Sequence, residues 1–540
     1  MRSSVLLVTA ATVATSVSCA SLLPPATTAA TTAAARSATR AGVAPIVLDG
    51  KFDDWTATPL WVEAPSSSAT RTARSLQRAW VTDDSAWWYL SVESRDSASA
   101  SAMPGTLHLL VDADGDRATG STVFAMPGVD FAVDLSRTDK VQAGAYGTGA
   151  ALRTIGATGF AGYQSAYDLN VVAMPTWSSP RLEMRVSRAG TPSGTTRLGT
   201  HLRAQLVFAE AGRVTSALPV ASYAFRSAPV AAPPAPTVTA IPSVPPGSTR
   251  IAHWNVAEGS FRTPARHAKL LAAVTPDVIM LDEVYSTISD SLLTAFFALP
   301  ELAALGRWQF VFAGTGGRQK TVVATRLNGL RAAESMRRVE YPAGALDSLR
   351  QLVPQAFTTV LDSEAASQLS STGAWIPIDG VETLFVPLDL QSAGFHGSAQ
   401  DQLRVLQSRA IRAHVLQEQS RRGTRAPLFI AGDFNAVGSY APLHELLHTL
   451  DVDGSDLAIA DAMRLGERSV VTWADPRAAQ FAPGRLDFTL FSDAVFQRTG
   501  GFVFTTIDLT PAFATSRGLS WDMSPTTSDH MIVVTDLKRR

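Results

Sequence analysis

Cysteine is almost absent from this 540-residue chain: there is one, Cys19, so no internal disulfide can form. An excess of charge of either sign is also lacking. Charged residues make up 17 % and the net charge is −1, which excludes a broadly basic coat for nucleic acid, although a local basic groove would not register in the sum. Beyond the N-terminal residues no stretch stays apolar for about 20 residues, so no transmembrane helix is predicted. No internal repeat is visible. What is present is length, enough for two or three domains rather than one core. The prolines and glycines are unevenly spread, and so mark segments.

The N-terminus opens with Arg2, an apolar run from Val5 to Val17, and then small residues. Residues 1–19 read as a secretion signal, which places the protein outside the cytoplasm, secreted or in the cell envelope. Ser16, Val17 and Ser18 before Cys19 resemble a lipobox, and a lipid anchor would then be the one tie to a membrane. An ordinary signal with a cysteine nearby is the other reading. Residues 20–44 are rich in Ala and Thr, lack large apolar residues, and form a tether. Residues 226–249 are Pro-rich and read as a fairly stiff linker.

Between tether and linker, residues 45–225 look all-β. "AWWYLSVESRD" and "TLHLLVDADGD" are β-branched and aromatic, turn clusters separate such runs, and a β-sandwich is expected. Residues 250–540 alternate between strand and helix. "TRIAHWNV", "PDVIMLDEV", "TVVATRL", "VETLFVPLDL" and "APLFIAGDF" read as strands. "TPARHAKLLAAV" reads as a helix with Thr263 as N-cap and Pro264 at its first position. A second helix follows from "AQDQLRVLQSRAIRAHVLQEQSRR", with Leu403, Leu406, Ala410, Ile411 and Val415 on one side. This is an α/β chain with helices against sheet.

Several of these strands end in an acid or amide: Asn255, Glu283, Asp433 with Asn435, Asp487, and Asp529 with His530. A strand buried on both faces should be continuously apolar, so a carboxylate at its end marks a rim. One such acid is an ordinary turn or cap. A series gathered at one rim would repel itself unless a cation sat among the groups.

In order, "NV", "PDVIMLDEV", "GDFN", "GRLDF" and "SDH" resemble the landmarks of the endonuclease/exonuclease/phosphatase superfamily, over nearly all of 250–540. The resemblance implies a four-layered α/β sandwich with two packed mixed sheets, and a metal-dependent phosphoesterase, with a phosphodiesterase acting on nucleic acid as the leading reading. A phosphomonoesterase, a sphingomyelinase-like phospholipid hydrolase and a non-catalytic glycan-binding surface protein are the alternatives. On this resemblance Glu283 and Asn255 hold Mg²⁺ or Mn²⁺, whose hardness suits oxygen ligands. Asp433 orients and deprotonates the attacking water. Asn435 holds a phosphate oxygen, His530 contacts the phosphoryl oxygen, and Asp487 fixes His530. Asp529 is a candidate for a second metal or for orienting the water.

One position departs from the family pattern. Many members carry a histidine that assists the leaving group where "PLDL" supplies Asp389. Asp389 could be protonated and donate to the leaving oxygen, or bind a second metal, or the leaving group could need little help. His396, in "GFHGS", could instead reach in from its loop. Arg318 and Lys320 in "GTGGRQKTVV" favour an anionic substrate. The stretch Arg331 to Gly380 reads as a long insertion, where Arg337, Arg338 and Tyr341 could meet a phosphate or base.

"IVLDGKFDDW", "AWVTDDSAWWYLSVESRD" and "LHLLVDADGDRATG" resemble the family 9-like carbohydrate-binding β-sandwich, over about 45–225. The resemblance makes a glycan a possible partner of Trp55, Trp87 and Trp88, although tryptophans in a sandwich are more often core. Asp112, Asp114 and Asp116 alternate in a Gly-bearing turn, a spacing that can wrap oxygens about Ca²⁺. The expected protein is a monomer that joins this module to the hydrolase.

Overall fold

The computed structural model describes residues 45–65, 75–95, 105–136, 149–189, 198–230, 234–257, 261, 263–285, 287–362, 369–478 and 481–540. The signal and tether readings, Cys19 included, fall outside these residues. The described residues belong to one compact unit. No helix among the described residues is long and apolar enough to cross a membrane.

The N-terminal half is built from strands. One sheet runs in the order Leu60–Glu63, Leu76–Asp83, Trp87–Ser94, Arg181–Ser187, Val172–Met174. A second is centred on Thr106–Asp112, which lies between His201–Glu210 and Phe131–Ser136. Alternation sends Trp88, Leu90 and Val92 of the first sheet against Leu107, Leu109, Val111 and Val133 of the second, so a single apolar layer fills the sandwich. The "LDGKFDDW" stretch wraps a buried carboxylate: Glu183 accepts from Asp49 N at 2.9 Å, Gly50 N at 2.8 Å and Trp55 Nε1 at 2.7 Å. Trp55 and Trp88 are each 1 % exposed, so neither can stack on a sugar. Trp87 is half-buried under the Arg185 guanidinium, 4.1 Å from its ring centre.

The C-terminal half has the four layers expected. One sheet runs Gln309–Phe312, Gln319–Thr325, Val278–Tyr285, Thr249–Asn255, Ile532–Arg539, Phe496–Phe504. The other runs Arg331–Ala332, Ala374–Ile378, Val381–Asp389, Leu428–Asp433, Asp487–Phe491, Ala458–Ile459. Each mixes parallel and antiparallel pairs. Ile251, Val278, Met280, Phe385, Phe429, Ala431 and Phe491 meet between the sheets. The helices at Pro264–Ala273 and Asp290–Phe297 cover the outer face of the first sheet. The helices at Ala399–Arg422 and Ala441–Leu447 cover the second. Thr263 stands at the N-cap of its helix but makes no side-chain cap bond. Ser398 caps the long helix by accepting from Asp401 N.

Two sequence readings are revised here. The stretch Arg331 to Gly380 is not one long connection, because "GAWIPI" becomes the strand Ala374–Ile378, paired along Val381–Asp389. In the same stretch Arg337 and Arg338 are exposed and pair with Glu334 and Glu340. The Pro-rich segment lies along the rest of the protein rather than standing away from it. Val230 N donates to Ser85 O at 3.0 Å, and Val238 pairs with Leu509.

The two halves share a core. Ile46, Leu48, Trp55, Tyr89, Val172 and Met174 pack against Val470, Val471, Val503, Met531 and Val533. Burial of such side chains is worth roughly 1.5–3 kcal/mol each, so the faces are held together firmly. The largely buried pair Arg185–Glu467 at 2.7 Å and the exposed pair Lys51–Asp461 add ionic contacts at this seam.

Candidate active site

Strand period two decides what gathers between the C-terminal sheets. Counting by twos from the apolar layer between these sheets, Ile251 leads to His253 and Asn255, and Val278 to Asp282. Phe385 leads to Asp389, Phe429 to Asp433, and Phe491 back to Asp487. Asn255, Asp389 and Asp433 lie at the carboxyl ends of parallel strands, the end at which open α/β sheets commonly bind ligands. Glu283 has the opposite parity. A register shift between Leu281 and Val284 breaks the ladder there, and Glu283 takes a φ of 54°. Such a bulge re-aims a side chain, and Asn255 Nδ2 lies 3.2 Å from Glu283 Oε1. Asn435 is also left-handed, at φ 46°. Strained non-glycine backbone tends to concentrate at working sites.

The contacts run through one cluster. His530 Nδ1 faces Asp487 Oδ2 at 2.9 Å, and His530 Nε2 lies 3.6 Å from Asp433 Oδ2. Asp433 Oδ1 accepts from Asn435 N at 2.8 Å, and Oδ2 from Asn435 Nδ2 at 3.0 Å. Asn435 Nδ2 also donates to Leu390 O at 2.8 Å. Asp389 stands in register with Asp433, and Asp433 with Asp487. Gly432 allows this closeness: a Cβ on it would sit 1.9 Å from Leu388 O. All but Asp389 and Glu283 of this set are buried.

The electrostatics follow from crowding. Burial, together with Asp487 and Glu283, pushes the Asp433 carboxyl up to about 7 although His530 and the Asn435 N–H oppose the shift. Asp389 is raised by burial and by Glu283 and Asp433. Asp282, with Oδ2 buried and unpaired, is raised by burial and by Asp389, Asp487 and Asp433. Burial opposes charge on His530, but the Asp487 and Asp433 carboxylates overcome it and hold the imidazole well above the usual histidine range. Oxygen donors that repel one another at one rim are a donor set suited to a hard divalent cation.

The family model described as Endonuclease/Exonuclease/phosphatase matches residues 252–530. The chain belongs to that family. It is a hydrolase acting on phosphoester bonds. No curated protein matches it. Among solved structures, the human Nocturnin catalytic domain with bound sulfate is 14 % identical, over 55 % of this chain and 97 % of that one, with a TM-score of 0.34. D. rerio TDP2 with a single-strand DNA product is 16 % identical, over 54 % and 99 %, at 0.33. ANGEL2, a 2′,3′-cyclic phosphatase, is 13 % identical, over 54 % and 95 %, at 0.35.

Within this endonuclease/exonuclease/phosphatase site, the structure brings together Asn255, Glu283, Asp389, Asp433, Asn435, Asp487 and His530. Asp529 is half-buried and accepts from Trp473 Nε1 at 2.9 Å, so its carboxylate ties down the segment that carries His530. Arg318 is exposed, with its guanidinium 5.7 Å from the ring of Tyr285, two residues beyond Glu283. His396 is exposed on the loop that leads from Asp389 into the long helix. Of the loop acids, Asp112 and Asp114 meet Asp130, one carboxylate oxygen of each lying within 4.8 Å of the others. Asp116 is not of that group: its Oδ1 accepts from Ala118 N at 2.9 Å. Arg203 already offers Asp112 a cation, at 2.9 Å.

Sequence reading overlooked the residues that hold the site in place. Ser528 donates to Asn255 O at 2.8 Å and accepts from His530 N at 3.0 Å. Thr472 Oγ1 accepts from the amides of Leu486 and Asp487. Asp401 accepts from Gly397 N and Ser439 N, and buried Arg404 grips the carbonyls of Gln391 and Ala393. The serine of "SDH" was a visible signal. The others carry none, because each also reaches a segment more than ten residues away.

Proposed function

We propose that the protein hydrolyses phosphodiesters, with nucleic acid as the leading substrate class, by attack of a water that Asp433 positions. The observation that carries this reading is the line Asp487–His530–Asp433, with Asn255 and Glu283 at the same strand ends. Glu283 and Asn255 are the residues that would hold Mg²⁺ or Mn²⁺. Bound there, the cation would supply positive charge against the phosphate oxygens. Asp433 takes the proton of the attacking water. Asp487 fixes the imidazole through Nδ1, so that Nε2–H of His530 points at the phosphoryl oxygen. Asn435, braced by Leu390 O and Asp433, offers its amide to the phosphate and the water.

The test is a panel of bis-p-nitrophenyl phosphate, p-nitrophenyl phosphate, DNA, RNA and sphingomyelin. Turnover of the diester and of nucleic acid is expected to exceed the rest. Preference for the monoester, or for sphingomyelin, would replace the diesterase reading.

For the leaving group we assign Asp389 rather than His396, because Asp389 stands beside Asp433 in the wall of the site and His396 lies out on the loop. Asp389→Asn should lower turnover of a diester with a poor leaving group by about 10²-fold, and change little with p-nitrophenolate. Equal loss on both would point to a second metal at Asp389 instead. No loss on either removes the residue from the reaction.

A further inference from the structure

The face of the N-terminal sandwich that meets the hydrolase does not meet it at random. Residues 166–178 reach three segments that carry proposed catalytic side chains. Thr176 Oγ1 lies 2.7 Å from Ala436 O and 3.1 Å from Arg485 O, so one hydroxyl bridges the residue after Asn435 to the second residue before Asp487. Ser178 N donates to Gly438 O at 2.7 Å. Trp177 packs its ring 5.7 Å from that of Phe488, the neighbour of Asp487, and 5.4 Å from that of Tyr440. Tyr167 OH accepts from Asp475 N at 2.9 Å, and the adjoining Trp473 and Ala474 bond to Asp529.

The fit is close as well as bonded. A Cβ on Gly484 would meet Thr176 Cγ2 at 2.8 Å, and a Cβ on Gly50 would meet Pro175 Cβ at 2.9 Å. The "LDGKFDDW" turn, fixed by the buried Glu183 carboxylate, thus backs the residue that precedes Thr176. Nothing comparable is needed to tether an independent module. A loop that spans the carbonyls beside two catalytic groups, supported from behind, instead has the form of a positioning device.

We propose that the N-terminal sandwich is a working part of the hydrolase, with Thr176 as a positioning residue that sets the distance between the Asn435 loop and the Asp487 strand. This rests on the roles proposed above for Asn435, Asp487 and His530. Thr176 touches no substrate. It acts on turnover by holding the strand that orients His530 and the loop that presents Asn435. Misplacement by about 1 Å in such an arrangement can cost about 10²-fold.

The test uses the full chain and the diester substrate. Thr176→Val keeps the shape of the side chain, including the methyl against Gly484, and removes the hydroxyl. It should lower kcat by about 10-fold or more with KM within about twofold of wild type, and leave the thermal midpoint near wild type. Thr176→Ser restores the hydroxyl and should restore kcat. Should valine fail to fold at so tight a position, Thr176→Ala carries the same expectation. Unchanged kcat in the folded variant overturns the inference. So does a rise in KM alone, which would make Thr176 part of substrate binding, and so does failure of serine to rescue. A wild-type protein that turns over no phosphoester removes the proposed function and this inference with it. Wild-type turnover matched by Thr176→Val removes this inference alone.

Discussion

Asp433→Asn is expected to lower kcat by about 10³-fold, the usual worth of a general base, while the protein melts near the wild-type temperature. Asp433 lies at the centre of the cluster, accepting from Asn435 N and facing His530 Nε2. Asparagine keeps the shape and one acceptor oxygen, so the turn into Asn435 can persist. It cannot take a proton from water. Its effect on stability should be small because two changes oppose each other. One charge-assisted hydrogen bond weakens. One charge also leaves a buried crowd in which burial, Asp487 and Glu283 already push the Asp433 carboxyl upward. Paired measurements of kcat and thermal midpoint decide the matter. A variant that keeps more than about a tenth of its turnover has a different base, and a midpoint that collapses gives Asp433 a role in folding.

Chelation is expected to be as severe. EDTA should take turnover below detection, and Mg²⁺ or Mn²⁺ should restore it. Asp282, Glu283, Asp389, Asp433 and Asp487 gather at one end of the inter-sheet layer, facing the imidazole of His530. Burial first, and then repulsion from neighbouring carboxylates, raises Asp282, Asp389 and Asp433, and a hard cation beside Glu283 and Asn255 would relieve that repulsion. Binding to the folded state alone also stabilises it by mass action, so Mg²⁺ should raise the thermal midpoint of the EDTA-treated protein. Glu283→Gln should blunt that rise. The second readout does not depend on substrate choice. Turnover indifferent to EDTA would exclude an exchangeable metal as a requirement.

Continuous apolar runs in "PDVIMLDEV" and "APLFIAGDF" named strands buried on both faces that end in acids, and the structure puts Asp433 at such an end. The long helix was equally plain, because Leu403, Ala410, Ile411 and Val415 repeat at helical spacing and all pack inward. The sequence also set Gly432, where no side chain fits against Leu388 O. Alternation alone, however, would turn Asp282 inward and Glu283 away. The bulge between Leu281 and Val284 reverses that for Glu283, and it arises from pairing with Gln319–Thr325, not from local pattern.

The same limit explains the loop acids and the sandwich. Spacing grouped Asp112, Asp114 and Asp116, whereas the third member of the cluster is Asp130, brought in from a different strand connection. Composition read residues 226–249 as a spacer between separate bodies, and it could not see the shared core of Leu48, Met174, Val471 and Val533.

By itself, then, the sequence determined the strand and helix periods, the family motifs and the chemistry available at the strand ends, since each of these is written within a few neighbouring residues. Only the tertiary structure decided that Glu283 turns inward, that Asp130 joins the loop acids, and that Thr176 reaches Ala436 across 260 residues of chain. Those outcomes depend on strand pairing and on the packing of one apolar face against another, which local spacing does not encode.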